Sequence, residues 1–116
     1  MRRDGSRFVS PNAGYQNWER TAAQILALMN RGELPISEPV NVAEVFYMPT
    51  ARRVDLLNLQ EAIDDALVRA GVLSDDSVKI VAGHEGSTAK IDRNDPRIEI
   101  TITPAQEWQI FEEVKK

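Results

Sequence analysis

The sequence predicts an α+β domain in which a small mixed or antiparallel sheet is packed by helices. Apolar residues recur at helical spacing in two stretches, Tyr15 to Met29 and Leu59 to Ala70. Two other stretches, Val40 to Met48 and Arg97 to Thr103, are rich in β-formers. The elements then follow as helix, strand, helix, strand, strand, helix. At 116 residues the chain is expected to be a single domain, 1–116, with one core.

Taken in order, Met1 to Arg7 is polar and reads as a mobile arm. Phe8-Val9 reads as a brief strand. Ser10-Pro11 reads as a helix start, with serine able to cap and proline at the first helical position. Tyr15, Trp18, Ala22, Ile25, Leu26 and Met29 then make one apolar stripe to about Asn30, and Gly32 ends the helix. Pro35 and Pro39 mark a connector. Val40 to Met48 should be a strand. Its Val40, Val42, Val45 and Tyr47 are partly out of phase, which predicts burial on both faces over some of its length.

The second helix is predicted from about Asp55, a good N-cap, to Ala70, with Gly71 at C′. Leu59, Ile63, Ala66, Leu67 and Ala70 form its core stripe. Leu57, Glu61, Asp64 and Val68 fall on the opposite face, which makes Leu57 an apolar residue on the wet side. Val78 to Ala82 reads as a strand and Gly83 to Asp95 as a polar loop or irregular hairpin. Arg97 to Thr103 alternates, with Ile98, Ile100 and Ile102 on one face. Thr103-Pro104-Ala105-Gln106 reads as a capping box opening a last helix through Trp108, Ile110, Phe111 and Val114.

Composition excludes several classes of function. The absence of cysteine removes disulfides and thiolate zinc sites and fits a cytoplasmic protein. No apolar run is long enough for a membrane span, so no membrane partner is expected. The net charge is −4, but residues 1–53 carry seven Lys/Arg against five Asp/Glu, and residues 54–116 carry seven against thirteen. Positive charge gathers at Arg2, Arg3 and Arg7 and again at Arg52 and Arg53. Any phosphate-binding face must therefore be local. A phosphate-binding glycine loop, a G-x-S-x-G elbow and a sustained heptad pattern are all lacking.

Three groups of residues could carry chemistry. Asp55, Asp75 and Asp76 offer hard oxygen ligands of the kind Mg²⁺ and Mn²⁺ take, although an N-cap and a turn account for them equally well. Arg52-Arg53 stands immediately before the acid, as phosphate-handling sites require, or as a solvated strand end. His84 is the only histidine. With no second histidine or cysteine to complete a transition-metal site or a triad, it reads as a loop residue.

Met48-Pro49, the run Arg52-Arg53-Val54-Asp55-Leu56-Leu57-Asn58-Leu59-Gln60, Asp65-Ala66-Leu67, Ala70-Gly71 and Asp75-Asp76 together resemble the RusA family of Holliday-junction resolvases, crossover junction endodeoxyribonucleases. More loosely, the resemblance extends from the Arg-rich start through Pro11 and Tyr15 to the strand at 97–103, most of the chain. It implies a homodimeric, often prophage-encoded enzyme of DNA recombination and repair that uses Mg²⁺, or Mn²⁺, to nick four-way DNA junctions symmetrically. It also implies a RusA-like fold, here expected to lack the strand that usually precedes the basic loop.

By the same resemblance, Asp55 matches the first family carboxylate, Asp76 the last with Asp75 beside it, and Asn58 the asparagine after the second carboxylate. These three aspartates would be catalytic and metal-binding. Arg52, Arg53, Arg2, Arg3 and Arg7 would contact DNA. Two departures fall in the motif itself: the second carboxylate is Leu57, and the lysine is Glu61. Glu61 lies one turn beyond Leu57 and is a candidate replacement ligand. Two functions therefore follow as expectations. One is a diverged junction endonuclease; the other is an inactive scaffold binding DNA junctions or protein as a homodimer.

Overall fold

The computed structural model describes residues 6–11, 18–51 and 55–112. Arg2, Arg3, Arg52 and Arg53 lie outside them, as do residues 1–5 of the expected arm. Five strands and two helices follow the order β1 (Ser6–Pro11), α1 (Trp18–Asn30), β2 (Val40–Met48), α2 (Leu56–Arg69), β3 (Val81–Gly83), β4 (Thr88–Ile91) and β5 (Arg97–Pro104). A single 3₁₀ turn, Glu107–Gln109, follows β5. The expected α+β class is what the chain adopts, with a mixed sheet.

β2 and β5 are the two inner strands, each with partners along both edges. On one side of β2, β5 runs antiparallel to it from Val40↔Pro104 to Tyr47↔Arg97, and β1 pairs antiparallel with the far edge of β5. On the other side β3 runs parallel beside Val40 and Asn41, and β4 parallel beside Val45 to Met48. The even-numbered residues of β2 (Val40, Val42, Phe46 and Met48) are buried, and so are Ile98, Ile100 and Ile102 of β5. Ile63, Ala66 and Leu67 of α2 and Leu26 of α1 complete the same core. The strand's other face is only half-buried at Ala43, Val45 and Tyr47.

α2 begins and ends as its residues dictate. Asp55, in extended backbone, accepts the Leu57 amide through Oδ1 at 3.0 Å. At the other end Gly71 takes φ 78°. Its amide bonds Val68 O, while the Val72 amide bonds Leu67 O. That is the Schellman pattern, closed by the buried pair Leu67 and Val72. Asn30 ties the end of α1 to this turn by donating to Gly71 O at 3.3 Å.

Four expectations need correction. Ser10 and Pro11 both belong to β1 and so do not open the helix, whose described part is Trp18–Asn30; Tyr15 lies outside the described residues. Residues 77–80 form a turn in which the Ile80 and Val81 amides both bond Ser77 O, leaving only Val81–Gly83 as strand. Among the described residues the last helix does not form, and Val114 lies outside them. Thr103 and Pro104 stay in β5 opposite Asn41 and Val40, and Ala105 N bonds Pro39 O at 3.0 Å. Sheet pairing takes the segment in which helix was expected, and Trp108 (72% exposed) and Phe111 find no core to pack on. Ser6 and Arg7, read as part of the arm, lie in β1.

Candidate functional site

Along β2 the buried, even-numbered row is Val40, Val42, Glu44, Phe46, Met48, so a carboxylate stands where an aliphatic side chain is expected. Glu44 is fully buried, at 0% exposure, and its register neighbour on β5 is Ile100. Asp64, also buried at 7%, reaches the same place from α2. The face assignment for α2 is thereby corrected. Leu57 and Glu61 are exposed as expected, but Asp64 turns inward with Gln60 and Ile63. It lies near the boundary between the wet and dry sectors of the helix, and an acid there goes inward only when it finds a partner.

The partner is His84, in the loop that leaves β3. Its Nε2 lies 2.7 Å from Asp64 Oδ2 and 3.7 Å from Glu44 Oε1. With the ring proton on Nε2, the histidine donates to Asp64. One donor atom from each of Glu44, Asp64 and His84 lies within 4.8 Å of the others. Both oxygens of Glu44 and Oδ1 of Asp64 are buried without a hydrogen-bond donor among the described residues. Burial, and then the Asp64 charge beside it, push the Glu44 carboxyl up to about 11.

The loop carrying His84 is held from both sides. Asn41 accepts the Glu85 amide through Oδ1 at 2.8 Å and donates Nδ2 to Glu85 O at 3.0 Å, so its carboxamide acts as a strand partner. Gln109 donates to the same Oδ1 at 2.8 Å. Ser87 fills the gap between β3 and β4: its Oγ accepts the Glu44 amide at 2.9 Å and lies 3.4 Å from Val42 O. Gly83 allows the 3₁₀ turn to close over this point, since a Cβ there would stand 2.5 Å from Gln109 Nε2.

The acids singled out by motif lie elsewhere, at the two ends of α2. Asp55 is exposed at the N-cap. Asp75 and Asp76 are exposed after the C-terminal turn, with Asp75 Oδ1 accepting the Asp76 amide at 2.9 Å. The hydrogen bond from Ser77, and then that amide, hold the Asp75 carboxyl below its ordinary value. Among the described residues, Glu44, Asp64 and His84 are the one set of three such donors this close together. Leu57, 69% exposed in the first turn of α2, has no donor atom to offer. Exposed carboxylate oxygens nonetheless suit Mg²⁺, which takes one or two protein carboxylates and fills the rest of its shell with water and phosphate.

Sequence reading placed His84 in a loop correctly, but left it without company. It overlooked that two carboxylates and one imidazole are themselves a ligand set. The available signal was Glu44, in phase with Val42 and Phe46; the neighbouring Val45 and Tyr47 obscured that phase.

Comparison with known families gives a match to the model described as Endodeoxyribonuclease RusA over residues 1–103. No curated protein sequence matches the chain.

Proposed function

The chain belongs to the RusA family of endodeoxyribonucleases, and on that premise we propose that it is a diverged, metal-dependent endonuclease of four-way DNA junctions, working as a homodimer. The family match across 103 of the 116 residues is the observation that carries this reading. In it, Asp55 at one end of α2 and the Asp75-Asp76 pair at the other each bind Mg²⁺ or Mn²⁺ separately, because the 14 residues of the helix hold the two ends about 21 Å apart. When bound, the ion supplies Lewis acidity toward the phosphodiester and a water of lowered pKa.

The chain's own groups bind and orient. Asp75, by accepting the Asp76 amide, shapes the turn from which the Asp76 side chain projects. The N-terminus of α2 adds a positive dipole end near Asp55, favourable to an incoming phosphate. Arg52 and Arg53, just before it in sequence, and Arg2, Arg3 and Arg7 neutralise backbone phosphates. Glu61, exposed on the face of Leu57, replaces the missing carboxylate.

The test is nicking of a synthetic four-way junction by the full chain, with matched linear duplex as control. Junction-selective nicking in Mg²⁺ or Mn²⁺, lost in Asp76→Asn and strongly reduced in Glu61→Ala, is expected. Unchanged cutting by Glu61→Ala would remove Glu61 from the site. Binding without nicks in either metal would favour the second reading, an inactive scaffold that binds junction DNA or protein as a homodimer. The exposed Leu57 supports that reading, because an apolar side chain suits a protein contact better than a phosphate.

A further inference from the structure

We propose that Glu44, Asp64 and His84 form a binding site for a divalent first-row transition-metal ion, of the Zn²⁺, Co²⁺ or Mn²⁺ class, which pins β2, α2 and the β3–β4 loop together. Nothing in the nuclease reading uses these residues, and the site stands or falls independently of it.

The first reason is polar satisfaction. Glu44 is completely buried in an aliphatic row, and neither of its oxygens receives a donor among the described residues. Asp64 brings a third buried, unpartnered oxygen to the same point. Were both ionised with no ion between them, the two carboxylates would repel, and each would cost several kcal/mol. The single imidazole answers only one of the oxygens, Asp64 Oδ2 at 2.7 Å. A divalent cation answers both carboxylates at once.

The second reason is geometry. Donor atoms bound tetrahedrally to one zinc-sized ion, at about 2.0–2.2 Å each, stand about 3.3–3.6 Å apart. The three donors here lie within 4.8 Å of one another, so small side-chain rotations suffice. On coordination the ring proton moves from Nε2 to Nδ1 through solvent, and the Nε2 lone pair takes the place of the hydrogen bond to Asp64. The His84 side chain is 32% exposed, which provides a path for the ion and room for a water as a fourth ligand.

The third reason is that the ligands are backed. The His84 loop is fixed by both polar ends of the Asn41 carboxamide, which is itself held by Gln109. The backbone of Glu44 is fixed by Ser87. Partners of this kind orient metal ligands in established sites. The imidazole also sets the class of ion. Mg²⁺ prefers all-oxygen shells with several waters, whereas Zn²⁺, Co²⁺ and Mn²⁺ accept nitrogen with carboxylate oxygen.

Co²⁺ is the probe for the test. The full chain, stripped with chelator, is titrated with Co²⁺ and read by visible absorption, then competed with Zn²⁺ and separately with excess Mg²⁺. The expected result is a stoichiometric ligand-field band, displaced by Zn²⁺ and not by Mg²⁺. His84→Ala and Glu44→Gln should each weaken binding by at least about 100-fold, beyond the roughly 10–100-fold that loss of a supporting residue causes. Asp55→Asn and Asp76→Asn should leave the band intact, which separates this site from the nuclease acids. Circular dichroism of each metal-free variant checks its fold, and Glu44→Gln keeps the size and shape of the side chain. No band in the folded wild type, or a band that survives both His84→Ala and Glu44→Gln, would overturn the proposal. So would an infrared carbonyl band of a protonated acid that disappears in Glu44→Gln and persists in excess Zn²⁺, since Glu44 would then be satisfied by a proton shared with Asp64.

Discussion

At Leu57 the chain presents an apolar side chain to solvent, two positions after an N-cap aspartate that makes a 3.0 Å bond to its amide. The helix would form equally well with a polar residue there, because Leu57 packs on nothing that decides the fold. Its identity therefore bears on function. By family resemblance a carboxylate belongs at this position, and Leu57→Asp is expected to raise the rate of junction nicking in Mg²⁺ by about tenfold or more, some 1.4 kcal/mol of barrier. Parallel melting curves would show whether stability stays within the small range normal for an exposed site. A faster, equally stable variant is the expected outcome; an unchanged rate would mean that this position no longer belongs to the site. Asp55, Gly71 and the exposure of Leu57 were legible in the sequence because each depends on neighbours within a few residues. Glu44, Asp64 and His84 were not, since their meaning comes from contacts 20 and 40 positions apart.

Strands and helices were read well wherever one period dominated. Ile98, Ile100 and Ile102 alternate without interruption and define β5, while the Leu59-to-Ala70 stripe and its caps define α2. The misread segments share a physical cause, namely competition from the sheet. Pro104 has the local features of a helix start but extends β5 instead. β5 also carries a polar clasp at its first residue. Arg97 donates to Glu99 at 2.8 Å and to Asp92 at 2.9 Å, and its guanidinium lies 3.8 Å from the Tyr47 ring centroid. The Arg97 hydrogen bond holds the Asp92 carboxyl below its ordinary value. Stability from such a depressed acid is present above its unfolded pKa of about 3.9 and is lost as pH falls through the lower native value. Asp92→Asn should therefore lower Tm by a few degrees at pH 7, given the exposure of the group. The gap should close as pH is taken below about 4. A gap that stays constant from pH 7 to 3 would show that the charge on Asp92 contributes nothing.

For the whole molecule, sheet order matters more than any one contact. β1 closes one edge of the sheet, and the short β3 and β4 share the other. A sheet this small leaves edges available for a second copy. Two copies related by a twofold axis would present two sets of Asp55, Asp75 and Asp76, matching the symmetry of a four-way junction. That arrangement predicts paired cuts rather than single nicks. The α+β class and the strand from Val40 to Met48 were readable from the sequence. The split edge of β2, where β3 and β4 leave a gap filled by Ser87, was not, because strands this short carry no period of their own. The central claim, a metal-dependent junction nuclease acting as a dimer, is tested most directly on a supercoiled plasmid that extrudes a cruciform. With Mg²⁺ or Mn²⁺ the account predicts linear product, formed by two coordinated cuts across the junction and abolished by Asp76→Asn. Plasmid that stays supercoiled in either metal, with the protein bound at the cruciform, would contradict it.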